Sequence, residues 1–192
     1  MAAKAYAKSA MFDVNQWFNM ALFLYRINPA EYLKAIHNQR IWNTGSNSLF
    51  SDALNGKYGR LVATSHVWRT LSYTMINHKN PEARLPEQYV RHIISVFKKL
   101  IIATGGEPEV VVPLNKDAVD SVLWKCYSDR SSVDYEDAKL VYEALMAKVE
   151  VLITSDTDLS MAEVPGLKIW YHDTLTSEQR RNHNATRRRP PR

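Results

Sequence analysis

With a single cysteine, Cys126, among 192 residues, the chain can form no internal disulfide, which excludes a disulfide-stapled fold and suits a reducing compartment. No stretch approaches the ~20 apolar residues a membrane span needs. The opening MAAKAYAKSAMFD also lacks the continuous apolar segment of a secretion signal. A soluble cytoplasmic protein without a membrane partner is the expectation. The six histidines, at positions 37, 66, 78, 92, 172 and 183, show no paired spacing such as His-x3-His, so they read as surface or polar-packing residues, not a zinc site. No internal repeat is present. Acids are missing from residues 180–192, which hold six arginines.

What is there is ordinary for a globular chain: 45% hydrophobic and 23% charged residues. The length fits one domain over residues 1–179, followed by a basic tail at 180–192. Taking the tail's six arginines from the net charge of +5 leaves −1 on residues 1–179. The body is therefore not a basic platform for nucleic acid. The tail is a separate arm whose Arg187, Arg188 and Arg189 can meet phosphate or an acidic partner by charge alone, and Pro190 and Pro191 disfavour folding of RRRPPR by itself. A merely solubilising tail is the competing reading.

Along the chain, residues 10–13 read as a short buried strand. Val14, Trp17, Phe18, Ala21, Leu22 and Tyr25 then fall on one face of an amphipathic helix. A second helix opens at Pro29. Residues 42–59, rich in Gly, Asn and Ser with a weakly helical centre, form a candidate loop or lid. A strand at 60–64 feeds a helix at 65–76 with Ser65 as N-cap. Pro81 and Pro86 bracket a turn, an apolar stripe predicts a helix to Ala103, and Gly105-Gly106 closes it. EVVVP (109–113) reads as a strand, 117–128 and 134–147 as helices, and 149–154 and 167–171 as strands. Strands alternating with helices predict an α/β fold with a parallel sheet.

The richest stretch is VEVLITSDTDL (149–159), a β-branched run ending on carboxylates, with Asp134-Tyr-Glu-Asp137 about one helix upstream. The carboxyl edge of a parallel sheet is where ligand crevices form. Asp137, in the first turn of its helix, leans back toward the strand ends. Asp156 emerges at the same edge, and Asp13 follows the first strand as a third acid. Converging carboxylates repel unless protonated or neutralised, and Mg²⁺ or Mn²⁺ is the usual counter-charge, which serves hydrolysis of phosphate esters. Each acid also has a purely local reading: Asp134 and Asp137 at a helix N-terminus, Asp156 and Asp158 as turn formers, Asp13 as a cap.

The order of these motifs resembles the PIN-domain nucleases, the fold of the toxin ribonucleases in bacterial toxin–antitoxin pairs. FDVN (12–15) matches that family's opening strand and Asp-x-Asn, with Asp13 and Asn15. VATSHVWRTL (62–71) matches its strand, Ser65 and helix. DAKLVYEA (137–144) matches the Asp-led helix, TSD (154–156) the strand ending Thr-x-Asp, and GLKI (166–169) the last edge strand. The resemblance spans residues 10–175 and implies a three-layer α/β/α PIN-like domain. It implies RNA cleavage with Mg²⁺ or Mn²⁺ held by Asp13, Asp137 and Asp156, with Asp134 and Asp158 as further ligands. It also implies support from Asn15, Ser65, Thr154 and Ser155, where Thr154 or Ser155 holds a metal-bound water or the Asp156 carboxylate. Partners implied are RNA, an antitoxin protein and a second copy of the chain.

One departure bears on activity. The family's glutamate in the second signature falls on Thr70, which cannot supply that charge; Glu31, Asp52 and Glu82 are the substitutes within reach of a loop. A non-catalytic RNA-binding or protein-interaction module is thus the alternative to a nuclease, and RNA contact through the tail alone is a third reading. SDTDLS (155–160) also matches the opening motif of haloacid-dehalogenase-type phosphatases, but those enzymes carry it near their N-terminus, whereas of 192 residues only 36 follow Asp156. Trp17, Trp68 and Trp124 read as core, Trp42 as the best base-stacking candidate, and Cys126 as a buried, inert thiol.

Overall fold

The central strand β1, Ser9–Phe12, forms from SAMF, a sequence of low strand propensity, because it is flanked on both edges and buried along its whole length. It pairs in parallel with β2, Arg60–Thr64 (Met11 opposite Val62), and with β4, Val151–Thr154 (Met11 opposite Leu152). Outer strands β3, Glu107–Val110, and β5, Lys168–Tyr171, complete an all-parallel sheet of order β3-β2-β1-β4-β5. This computed structural model describes residues 7–26, 46–126 and 133–172. The helix expected from Pro29, Glu31, Trp42 and Arg187, Arg188 and Arg189 lie outside them.

Helices α1 (Val14–Arg26), α2 (Ser46–Leu54), α3 (Ser65–Asn77) and α4 (Glu87–Ala103) connect β1, β2 and β3; α5 (Lys116–Cys126) and α6 (Tyr135–Met146) lead from β3 back to β4. The first four helices contact one another and α5 contacts α6, so that two helical groups flank the parallel sheet in three α/β/α layers, as expected. On the first face, Trp17 of α1 is fully buried, with ring centroids 5.1 Å from Trp68 of α3 and 5.0 Å from Phe97 of α4. Each indole N–H is satisfied: Trp17 Nε1 donates to the Phe12 carbonyl and Trp68 Nε1 to that of Pro108. On the second face α5 and α6 pack on each other, with Val119, Val122, Val141 and Ala144 buried.

Four expectations need correction. Within 42–59, residues 46–54 are helix, and Leu49 and Ala53 are buried, so this part belongs to the core and is not a lid. The cap of α3 is Thr64, whose hydroxyl accepts from the Val67 amide; Ser65 is the first helical residue. The strand expected at 109–113 sits earlier, at Glu107–Val110, and Val111 is 75% exposed. Its pairing begins directly after Gly106, where a Cβ would stand 1.9 Å from the Leu61 carbonyl oxygen, so only glycine lets β3 dock there. Finally, Trp124 is 77% exposed, because the apolar stripe of α5 runs through Val119, Val122 and Cys126 instead. Among the described residues, no helix is long and apolar enough to cross a membrane.

Candidate functional site

Strand order reverses between β1 and β4, since the chain leaves β1 toward β2 and β3 and returns on its other side. In open α/β sheets a crevice forms at such a point, outside the carboxyl ends of the strands. Asp13 directly follows β1 and Asp156 follows β4 by two residues. The Asp13 amide continues the ladder, donating to the Ile153 carbonyl at 2.9 Å, so its side chain is fixed at the seam.

Thr154 ties the two strand ends together. Its hydroxyl donates to Asp13 Oδ2 at 2.8 Å and accepts from the Asp156 amide at 2.9 Å. Of the roles the resemblance implied for Thr154 or Ser155, holding a metal-bound water or the Asp156 carboxylate, the Thr154 hydroxyl meets Asp156 only at its amide and orients the Asp13 carboxylate. Asp156 is held instead by its own turn: Oδ1 accepts from the amides of Asp158 and Leu159, at 2.7 and 3.0 Å, capping the short helix α7, Thr157–Ser160. Asp158 thus contributes its backbone here. Ser155 and Ser65 are half-buried at the same edge, and Asn15 is exposed, with its amide directed to Asp13.

Asp137 enters from the other layer. Asp134 caps α6, its carboxylate accepting from the Asp137 amide, while Asp137 Oδ2 accepts from the Asp134 amide, a reciprocal capping box. The local reading of this pair is therefore true, and it does not exhaust Asp137. Burial first, then the charge of Asp134, and further those of Asp156 and Asp13, raise its carboxyl to about 6. Asp13 is only 6% exposed; its acidity is weakened chiefly by burial, with hydrogen bonds from Thr154, Val14 and Asn15 opposing and the charge of Asp156 adding. The structure thus links Asp13 and Asp156 through Thr154, and the charges of both add to the burial that weakens Asp137 as an acid.

A second carboxylate cluster was missed in the sequence. Glu143 of α6, 4% exposed, accepts a hydrogen bond from the Thr64 hydroxyl, linking the end of β2 to the opposite layer. Burial raises its carboxyl above the ordinary range, against Thr64, Lys139 and Arg69, which favour its charge. The available signal was a glutamate beside the apolar stripe of Leu140, Val141 and Ala144, a polar residue where packing asks for none. Near it, Thr70 lies 3.3 Å from His66 Nε2, and His66 lies 3.4 Å from Glu136. Burial, foremost, lowers the His66 pKa, favouring the neutral ring. Asp52 is engaged by Lys57 at 2.5 Å, and Glu82 sits in a 3-10 turn beyond the far end of α3, about 20 Å of helix from the strand ends.

Carboxylates that repel each other are what a hard cation neutralises. Among the described residues, no three or more His, Cys, Asp or Glu side chains form a group that could hold a metal ion. Cys126 is buried, and burial with the Asp137 charge raises its thiol pKa, as for an inert residue. Compared with protein-family models and with curated proteins, the chain matches none.

Proposed function

We propose that the chain is a divalent-cation-dependent endoribonuclease of PIN-like type, with Asp13, Asp137 and Asp156 as the catalytic carboxylates. The observation that carries this reading is the pairing of Asp13 and Asp156 through the Thr154 hydroxyl at the carboxyl edge where the strand order reverses, with Asp137 approaching from the first turn of α6. Among the described residues Asp156 and Asp137 each commit one oxygen to backbone amides, which fixes the carboxylate while leaving the other oxygen for a ligand. Thr154 orients Asp13 and opposes the burial that weakens it as an acid. A bound Mg²⁺ or Mn²⁺ supplies water activation and screening of phosphate charge. RNA is the substrate implied by the family resemblance.

The test is cleavage of a mixed-sequence RNA by Asp137→Asn and Asp156→Asn. Both keep a backbone-capping oxygen, so a loss of activity of at least about 100-fold with the fold intact is expected. Full activity in both would end the proposal. A second reading, a non-catalytic RNA-binding module, draws on Thr70, which brings a hydroxyl and no carboxylate to this edge and contacts His66.

A further inference from the structure

Beside the carboxylates, α3 and α6 enclose an open cleft of about 680 Å³. Its chemistry differs from that of the acidic seam. Arg69 and Lys139 bring two cations, Tyr73 brings a ring that is 69% exposed, and Leu114 an apolar wall with 61% exposure. Glu143 at its base is spoken for by Thr64, and Glu136 at its rim lies between His66 and Lys139. The cleft and the carboxylate seam share the first turns of α6, with Glu136 and Lys139 on the cleft side and Asp137 facing the acids across the seam.

We infer that this cleft is a nucleotide subsite for single-stranded RNA, with the base stacked on Tyr73 against Leu114 and the phosphodiester held by Arg69 and Lys139. The inference rests on the nuclease reading for its substrate class and adds which residues grip the chain next to the scissile bond. Two chemical facts support it. An aromatic face open to solvent is a poor element of a core and a good platform for any base. Arg69 and Lys139 beside it match the repeat of base and phosphate along a strand, and the two carboxylates in the same lining are already engaged, Glu143 by Thr64 and Glu136 by His66 and Lys139, so that Arg69 is the cation a phosphate would meet first.

The test is fluorescence anisotropy of a 5′-labelled single-stranded RNA octamer with the full chain in cation-free buffer, so that no cleavage occurs. Tyr73→Ala should weaken binding roughly tenfold, and Tyr73→Phe, which keeps the ring, should restore it. Arg69→Ala and Lys139→Ala should each weaken binding and reduce the slope of log K against log salt by about 0.7. Lys98→Ala, at a lysine that pairs with Glu109 outside the cleft, serves as the control. All positions in the cleft set are at the surface or half-buried, so the variants should fold, which circular dichroism checks. Binding within twofold of wild type in Tyr73→Ala and Arg69→Ala overturns the subsite, as does a loss in Tyr73→Phe equal to that in Tyr73→Ala. The two readings fail separately. Unchanged binding with cleavage abolished in Asp137→Asn removes the subsite alone. Weakened binding in the cleft variants, with normal cleavage in Asp137→Asn and Asp156→Asn, removes the nuclease reading alone.

Discussion

Thr154 Oγ1 stands 2.8 Å from Asp13 Oδ2, joining the ends of two strands that are 141 residues apart in sequence. Both residues are buried, so the hydroxyl satisfies a carboxylate that water barely reaches. A donor to the charged form favours ionisation, and this contact opposes the burial that weakens Asp13 as an acid.

Thr154→Val should therefore be costly although its shape is conserved. It strands the Asp13 oxygen and removes the acceptor of the Asp156 amide, a loss of about 1–3 kcal/mol in urea unfolding. Thr154→Ser, which keeps the hydroxyl, should recover most of it. Equal stability of the Val and Ser variants would show that the contact does not organise the strand ends.

The pH dependence of stability should carry the mark of Asp137. Its carboxyl titrates near ~3.9 in an unfolded chain and at about 6 when folded. The folded state thus holds the proton more tightly. This group favours folding below pH ~4, loses that contribution as pH rises through 6, and opposes folding above it. Asp13 and Glu143, also raised, act in the same direction. Asp137→Asn should flatten the stability profile between about pH 4 and 6. At pH 7 it should gain up to about 1 kcal/mol, a value discounted for the screening of a half-buried group. Urea midpoints across pH 4 to 8 read this directly, and a variant profile parallel to wild type would contradict it.

Glu143 should prove structural in a way that Asp137 is not. Glu143→Ala leaves the Thr64 hydroxyl without its acceptor and opens a void between α6 and the end of β2, at a cost of about 2–4 kcal/mol. Glu143→Gln keeps the acceptor and removes a desolvated charge, so it should lie within about 1 kcal/mol of wild type at pH 7. Thermal unfolding distinguishes the two. An Ala variant as stable as the Gln variant would mean that Glu143 does not hold the layers together.

Much of the sheet was legible because parallel, buried strands announce themselves as apolar runs: RLVAT and VLIT stand where those runs predicted strands. Strand β1 was read at 10–13 from a short apolar run and the FDVN match, and lies one residue earlier, at Ser9–Phe12, where SAMF gains its stability from pairing on both sides and not from propensity. Edge strand β3 was misplaced because its residues Glu107-Pro-Glu-Val are polar on one face, while the more apolar Val111 that follows is exposed. At the candidate site, the Asp pattern placed Asp13 and Asp156 after the first and fourth strands, which is where they lie in the sheet. The partner of Asp13 was not readable, since a Thr-x-Asp motif does not say which carboxylate its hydroxyl will meet. Thr64 and Glu143 were missed for a related reason: a contact across layers leaves no spacing in the sequence.

The most direct measurement is a calorimetric titration with Mn²⁺ of the wild-type chain and Asp156→Asn, with the same samples assayed on a mixed-sequence RNA. Asn at 156 can still cap α7 through its side-chain oxygen, so the fold should be unaffected within about 0.5 kcal/mol. The account predicts Mn²⁺ binding and RNA cleavage by the wild type, and loss of both in the variant. Absence of Mn²⁺ binding and of cleavage in the wild type, or full retention of both in the variant, would contradict it.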